Sequence, residues 1–178
     1  MTLQEIGLKH KTDKATYHRY CDFYQENLPN QDFDGRLLEI GIMDGASLRM
    51  WREYYPKAEI IGVDINEKNF EIEGVTILRL DATDIEAMKE LGNFDIIVDD
   101  GSHMTLDQQI SFNWLYDNQL NYEGYYVLED LHTSLMPNYI NSKYTTLDML
   151  KRFNGNKKYY RRDETEADSM TCIIRANR

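Results

Sequence analysis

The sequence predicts an α/β fold, a single domain on a seven-stranded, mostly parallel sheet with an antiparallel C-terminal strand. Three observations carry that expectation. Short β-branched and aromatic runs alternate with segments of helical spacing, which is the signature of βαβ units. The runs are apolar almost throughout rather than at every second residue, as in strands covered on both faces. Two further strand-like segments close the chain with no helical segment between them, and read as a hairpin.

In chain order, residues 15–28, rich in tyrosine, read as a helix within an N-terminal segment spanning 1–34. Tyr17, Tyr20, Phe23 and Tyr24 suit a lid or acceptor wall and suit equally an amphipathic helix packed on the sheet. Strands follow at 36–40, 59–64, 75–80, 94–99 and 124–129. Between them, 46–55 carries Leu48, Trp51 and Tyr55 at helical spacing, 84–91 carries Ile85, Met88 and Leu91, and 106–120 carries Ile110, Trp114 and Leu115. Right-handed crossovers turn this alternation into a parallel sheet with helices on both sides. Residues 158–161 and 169–174, separated by the polar stretch 162–168, make the last two strands.

With 178 residues, 42% of them hydrophobic, the chain holds one sizeable core, read as a single domain over 1–178. Its 20 Lys and Arg against 31 Asp and Glu give a net charge of −11. That disfavours nucleic acid and anionic membranes as partners. No secretory leader or membrane span is read, so a soluble cytoplasmic chain is expected. Cys21 and Cys172 lie far apart without a CxxC neighbour and read as buried thiols rather than a disulfide or zinc site.

The first strand runs through Glu39-Ile40-Gly41-Ile42-Met43-Asp44-Gly45 into a helix. In open α/β sheets ligands bind beyond the carboxyl ends of the strands. Asp64 ends the second strand, where an acid accepts hydrogen bonds from both hydroxyls of a ribose. Together these features indicate a nucleoside-containing cofactor, and charge separates the candidates. A dinucleotide sets its pyrophosphate on the helix N-terminus among glycine and amide donors. Here the G-x-G-x-x-G fingerprint is missing and Asp44 repels phosphate, which disfavours an NAD-dependent oxidoreductase. S-adenosylmethionine brings a sulfonium, an ammonium and no phosphate. Glu39 is expected to meet that ammonium directly or through water, and Asp81, ending the third strand, to stand beside the adenine or ribose. The cofactor residues read are Glu39, Gly41, Asp64, Ile65, Asp81 and Asp99. Asp44 as a helix cap and Asp81 as a polar strand end remain plainer alternatives.

The fourth strand ends in Asp99-Asp100-Gly101-Ser102-His103 and the fifth in Glu129-Asp130-Leu131-His132-Thr133-Ser134. On a parallel sheet both open on the edge that carries the cofactor turn, so four carboxylates and two imidazoles converge. Like charges so close call for a cation. Carboxylate oxygens without nearby thiolates favour Mg²⁺, or another hard divalent ion, over zinc. Singly, each acid is as readily a cap of the next turn; the pairing is the signal. His103, on a turn at the mouth, suits a general base, with a capping or core role as its alternative. His132 and Thr133 are assigned to the substrate pocket, while His10 and His18 stay unassigned.

On these residues, and on Lys11-Thr12-Asp13-Lys14 with His18 and Tyr20 ahead of them, the sequence resembles a known family: the class I S-adenosylmethionine-dependent methyltransferases, in particular the metal-dependent sugar O-methyltransferases of the mycinamicin (macrolide) type. The resemblance implies a Rossmann-like methyltransferase domain, with Mg²⁺ on Asp100, Glu129 and Asp130 and His103 as the base. The implied acceptor is a small molecule, a sugar or a glycosylated natural product, and a homo-oligomer is admitted. A rival reading from another class is an S-adenosylmethionine-binding module or partner subunit without methyltransferase activity. Small size speaks for that reading; the acidic cluster and His103 speak against it.

Overall fold

The computed structural model describes residues 1–162 and 169–177. Three short helices open the chain: α1 (Leu3–His10), α2 (Asp13–Thr16) and α3 (Cys21–Asn27). The single helix expected over 15–28 is therefore a correction. Arg19 takes a left-handed φ of 60°, which no continuous α-helix accommodates, and the chain turns there before α3 begins. Next come β1 (Arg36–Ile40), α4 (Ala46–Tyr54), β2 (Glu59–Asp64), β3 (Val75–Arg79), α5 (Ile85–Lys89), β4 (Phe94–Asp99), α6 (Thr105–Asn118) and β5 (Leu120–Leu128). Two 3₁₀ turns, Leu131–Leu135 and Pro137–Tyr139, lead to α7 (Thr146–Arg152), β6 (Asn156–Arg161) and β7 (Met170–Arg175).

The sheet has seven strands in the order β3-β2-β1-β4-β5-β7-β6. β1 to β5 pair in parallel, and β7 runs antiparallel to both β5 and β6. The expected hairpin pairing is present, with β7 inside the sheet and β6 at its edge; most of its polar link, 163–168, lies outside the described residues. β5 starts earlier than the sequence suggests. A register shift against β4 between Phe94 and Ile96, with Glu123 at a φ of 58°, lets the polar residues 121–123 join the strand as a bulge.

Adjacent apolar residues face opposite sides, as expected of strands covered twice. Leu37, Ile60, Ile96 and Ile173 enter one core with α1, α3 and α4. Leu38, Ile61, Ile97 and Ile174 enter the other, with α5, α6 and α7. The N-terminal segment supplies Leu3, Ile6, Tyr20, Cys21 and Tyr24 to the first core, so those aromatic rings are packed against the sheet side. Both cysteines are free and buried. Among the described residues, no helix is long and apolar enough to cross a membrane.

Candidate functional site

β1 and β4 are neighbours from which the chain winds outward in opposite directions, which opens a crevice at their carboxyl ends. A cleft of about 770 Å³ lies there, lined from the ends of β1, β2, β3 and β4 and by Asp130 just beyond β5. Gly41 makes the crevice floor workable. Its φ is +80°, and a Cβ there would collide with the Asp100 carbonyl oxygen, so only glycine lets the two loops approach this closely.

Along one side run the residues read as cofactor contacts. Asp64 Oδ1 accepts from Asn66 N at 2.9 Å, and its Oδ2 from Ile42 N at 3.2 Å and Lys68 Nζ at 2.8 Å. Burial raises the Asp64 pKa, but the Lys68 ammonium and these backbone donors outweigh it and hold the carboxyl below its usual value. Ile65, Asp81 and Asp99 also line the cleft. Asp81 is tied to Thr83 N and Oγ1. Asp99 is buried and accepts from Ser111 Oγ at 2.6 Å and Tyr126 OH at 2.8 Å. Asp44 accepts from Ala46 N, the first residue of α4, but the N-cap of that helix is Gly45, without a side-chain cap; Asp44 also lines the cleft.

Glu39 is placed differently. It is fully buried beneath the cleft, accepting from Ser47 Oγ at 2.9 Å and Trp51 Nε1 at 3.3 Å. Burial pushes its pKa up to about 7 against the pull of Lys14.

At the other end, Asp100, His103 and Asp130 each present a ligand atom, all within 4.8 Å of one another. His103 Nε2 lies 3.6 Å from Asp130 Oδ2, and its side chain is 37% exposed at the cleft mouth. Asp130 also accepts from Tyr20 OH at 3.1 Å, and His18 and His132 stand at 3.7 and 3.9 Å from its Oδ1. The two carboxylates, partly open to the cleft, fit a divalent cation, with the imidazole beside them at the mouth. Glu129 lies outside this group. Its carboxylate is buried, and Oε1 is 3.0 Å from Lys14 Nζ without the alignment of a hydrogen bond. Thr133 is buried too, its hydroxyl donating to the Asp130 and His103 carbonyls.

The sequence reading missed Lys14. Its ammonium is fully buried, 2.6 Å from Asp100 Oδ2, 3.0 Å from Glu129 Oε1 and 3.5 Å from Glu39 Oε1. Burial alone would discharge it, but the three carboxylates outweigh that and raise its pKa well above the ordinary lysine value. Burial in turn pushes Asp100 and Glu129 above the usual carboxylate range, with Lys14 opposing. The Lys11-Thr12-Asp13-Lys14 motif was the available signal, yet no local pattern reveals partners so distant in the chain. His10, by contrast, pairs with Glu53 at 2.7 Å, away from the cleft.

The FtsJ-like methyltransferase family model matches residues 23–144. Among curated proteins, the 8-demethyl-8-alpha-L-rhamnosyl tetracenomycin-C 2'-O-methyltransferase of Streptomyces olivaceus is 34% identical over 84% of this chain and 44% of its own length. Over a shorter stretch, 40% of this chain and 34% of the relative, the ribosomal RNA large subunit methyltransferase E of Zymomonas mobilis is 37% identical. The structure of MycE methyltransferase in complex with Mg, SAH and mycinamycin VI superposes with a TM-score of 0.82, covering 100% of this chain and 54% of that one at 24% identity, which shows a shared fold. The chain spans less than half the length of the curated relatives it matches.

Proposed function

Since the chain belongs to the FtsJ-like methyltransferase family, we propose that it transfers a methyl group from S-adenosylmethionine to a hydroxyl of a sugar or glycosylated small molecule, with a divalent cation such as Mg²⁺. One observation carries the proposal: the ribose-type acid Asp64 and the Asp100-His103-Asp130 group share one cleft. The curated sugar O-methyltransferase relatives support the acceptor class.

Asp64 receives the ribose hydroxyls, exchanging Lys68 for them, while Ile65 and Asp81 flank the nucleoside. Asp100 and Asp130 would hold the cation, with Glu129 behind them. When bound, such an ion lowers the pKa of an acceptor hydroxyl and fixes its position. His103 takes the hydroxyl proton; its imidazole is oriented by Asp130 and open to the mouth. The acceptor oxygen forms its bond to the methyl carbon as the carbon–sulfur bond breaks, and the electron pair leaves on a neutral thioether. Alignment of oxygen, methyl and sulfur supplies much of the acceleration. Thr133, hydrogen-bonded to the Asp130 and His103 carbonyls, braces the turn that carries them and does not line the cleft, and nor does His132.

The test is incubation with S-adenosylmethionine, Mg²⁺ and a panel of rhamnosylated and other glycosylated acceptors, with an RNA arm, read by mass spectrometry. A methylated glycoside with stoichiometric S-adenosylhomocysteine is expected. Methylation of RNA alone would overturn the acceptor class. Calorimetric binding of NAD without S-adenosylmethionine would overturn the cofactor, and cofactor binding without turnover on any acceptor would favour a binding module.

A further inference from the structure

The neutralising cation inside the acidic cluster is part of the chain. Lys14 comes from α2, only four residues long, and its side chain is enclosed between the ends of β1, β4 and β5. Its ammonium contacts Asp100 at 2.6 Å and Glu129 at 3.0 Å, with Glu39 at 3.5 Å. Asp100 belongs to two groups at once. One of its oxygens takes Lys14, and the residue also stands within ligand distance of His103 and Asp130. A divalent ion held by Asp100 would therefore sit one carboxylate away from a fixed positive charge. Charges at such separations, away from bulk water, interact strongly.

We propose that Lys14 is a positioning residue that sets the metal affinity of this site. Its buried ammonium anchors Asp100 and Glu129 and offsets one unit of their negative charge, so that the site holds a divalent cation reversibly rather than tightly. The inference rests on the metal-site reading above. Its consequence is opposite to that of an ordinary structural lysine: neutralising Lys14 strengthens cation binding even as it weakens the protein.

The experiment measures Mn²⁺ binding to the protein without cofactor or acceptor, by electron paramagnetic resonance of the free ion. Lys14→Met and Lys14→Gln are compared with wild type; the glutamine keeps a hydrogen-bond donor for Asp100 if the methionine variant does not fold. Tighter binding, on the order of tenfold or more, is expected in both. Lys14→Met/Glu39→Gln removes the ammonium together with a fully buried carboxyl that burial already holds towards neutrality, and is expected to bind Mn²⁺ more tightly than wild type as well. Unchanged or weaker affinity in the neutral single variants overturns the inference while wild-type binding leaves the metal reading intact. If only the double variant folds, binding tighter than wild type supports the inference and unchanged or weaker binding overturns it. Absence of Mn²⁺ binding in every protein overturns the metal reading and this inference with it.

Discussion

The base and the ribose acid can each be probed through a single side chain. His103 stands 3.6 Å from Asp130 and faces the mouth, so His103→Ala is expected to lower kcat by roughly 10²–10⁴, the usual scale of a lost general base. Mn²⁺ affinity should stay unchanged, and a parallel loss of affinity would make the imidazole a ligand instead. Asp64 yields a pH prediction. Its folded pKa is depressed, chiefly by Lys68 against the effect of burial, so its stabilising contribution is present above the unfolded carboxylate value and is lost as pH falls through the folded one. Lys68→Met should therefore cost about 0.5–1 kcal/mol near pH 7 after solvent screening. The difference from wild type should shrink between about pH 5 and about pH 3. Thermal melts across that range check it; a difference independent of pH would assign Lys68 a packing role. Residue chemistry was legible where it sat at a strand end. The partners of Asp99, Ser111 and Tyr126, lie 12 and 27 positions away and were not.

Among elements, the β1–α4 turn is the most constrained. Gly41 combines a positive φ with contact against the Asp100 carbonyl. Gly41→Ala is expected to destabilise the fold by about 2–5 kcal/mol, the sum of left-handed strain and overlap; a urea midpoint unchanged from wild type would contradict this. The central strands were readable because near-continuous apolar runs such as Phe94–Asp99 allow few other placements. Helices whose character comes from tertiary contact were harder. α1 carries Gly7 and exposed Leu8, and its Thr2–Glu5 capping box was not read as a start. α7 begins with the same kind of box, Thr145 with Asp148, hidden behind a polar stretch. The bulge in β5 follows from pairing with β4, which a strand's own residues do not display.

Over the molecule as a whole, the two thiols report on global opening. Cys21 lies in one core and Cys172 in the other, and burial pushes both pKa values up to about 12. Neither should react with iodoacetamide near pH 8 in the native state, and both should react together on unfolding. Early labelling of Cys21 alone would show the N-terminal helices opening independently of the sheet. The parallel pairing and the convergence of acids on one edge were legible, because parallel strands necessarily end on the same side. The internal ammonium was not, since convergence by itself specifies a missing positive charge without saying that the chain supplies it.

That ammonium also bears on the order of assembly. Lys14 finds Asp100 across 86 positions, His18 finds Ser169 across 151, and Tyr24 finds Thr171 across 147. The helices ahead of β1 thus have partners in and just before β7, and their aromatic rings have no complete surface to settle on until β7 is in place. Closure of loops this long comes late and slowly. Helices α1 to α3 would then complete the native state rather than nucleate it, settling only once β7 has joined the sheet.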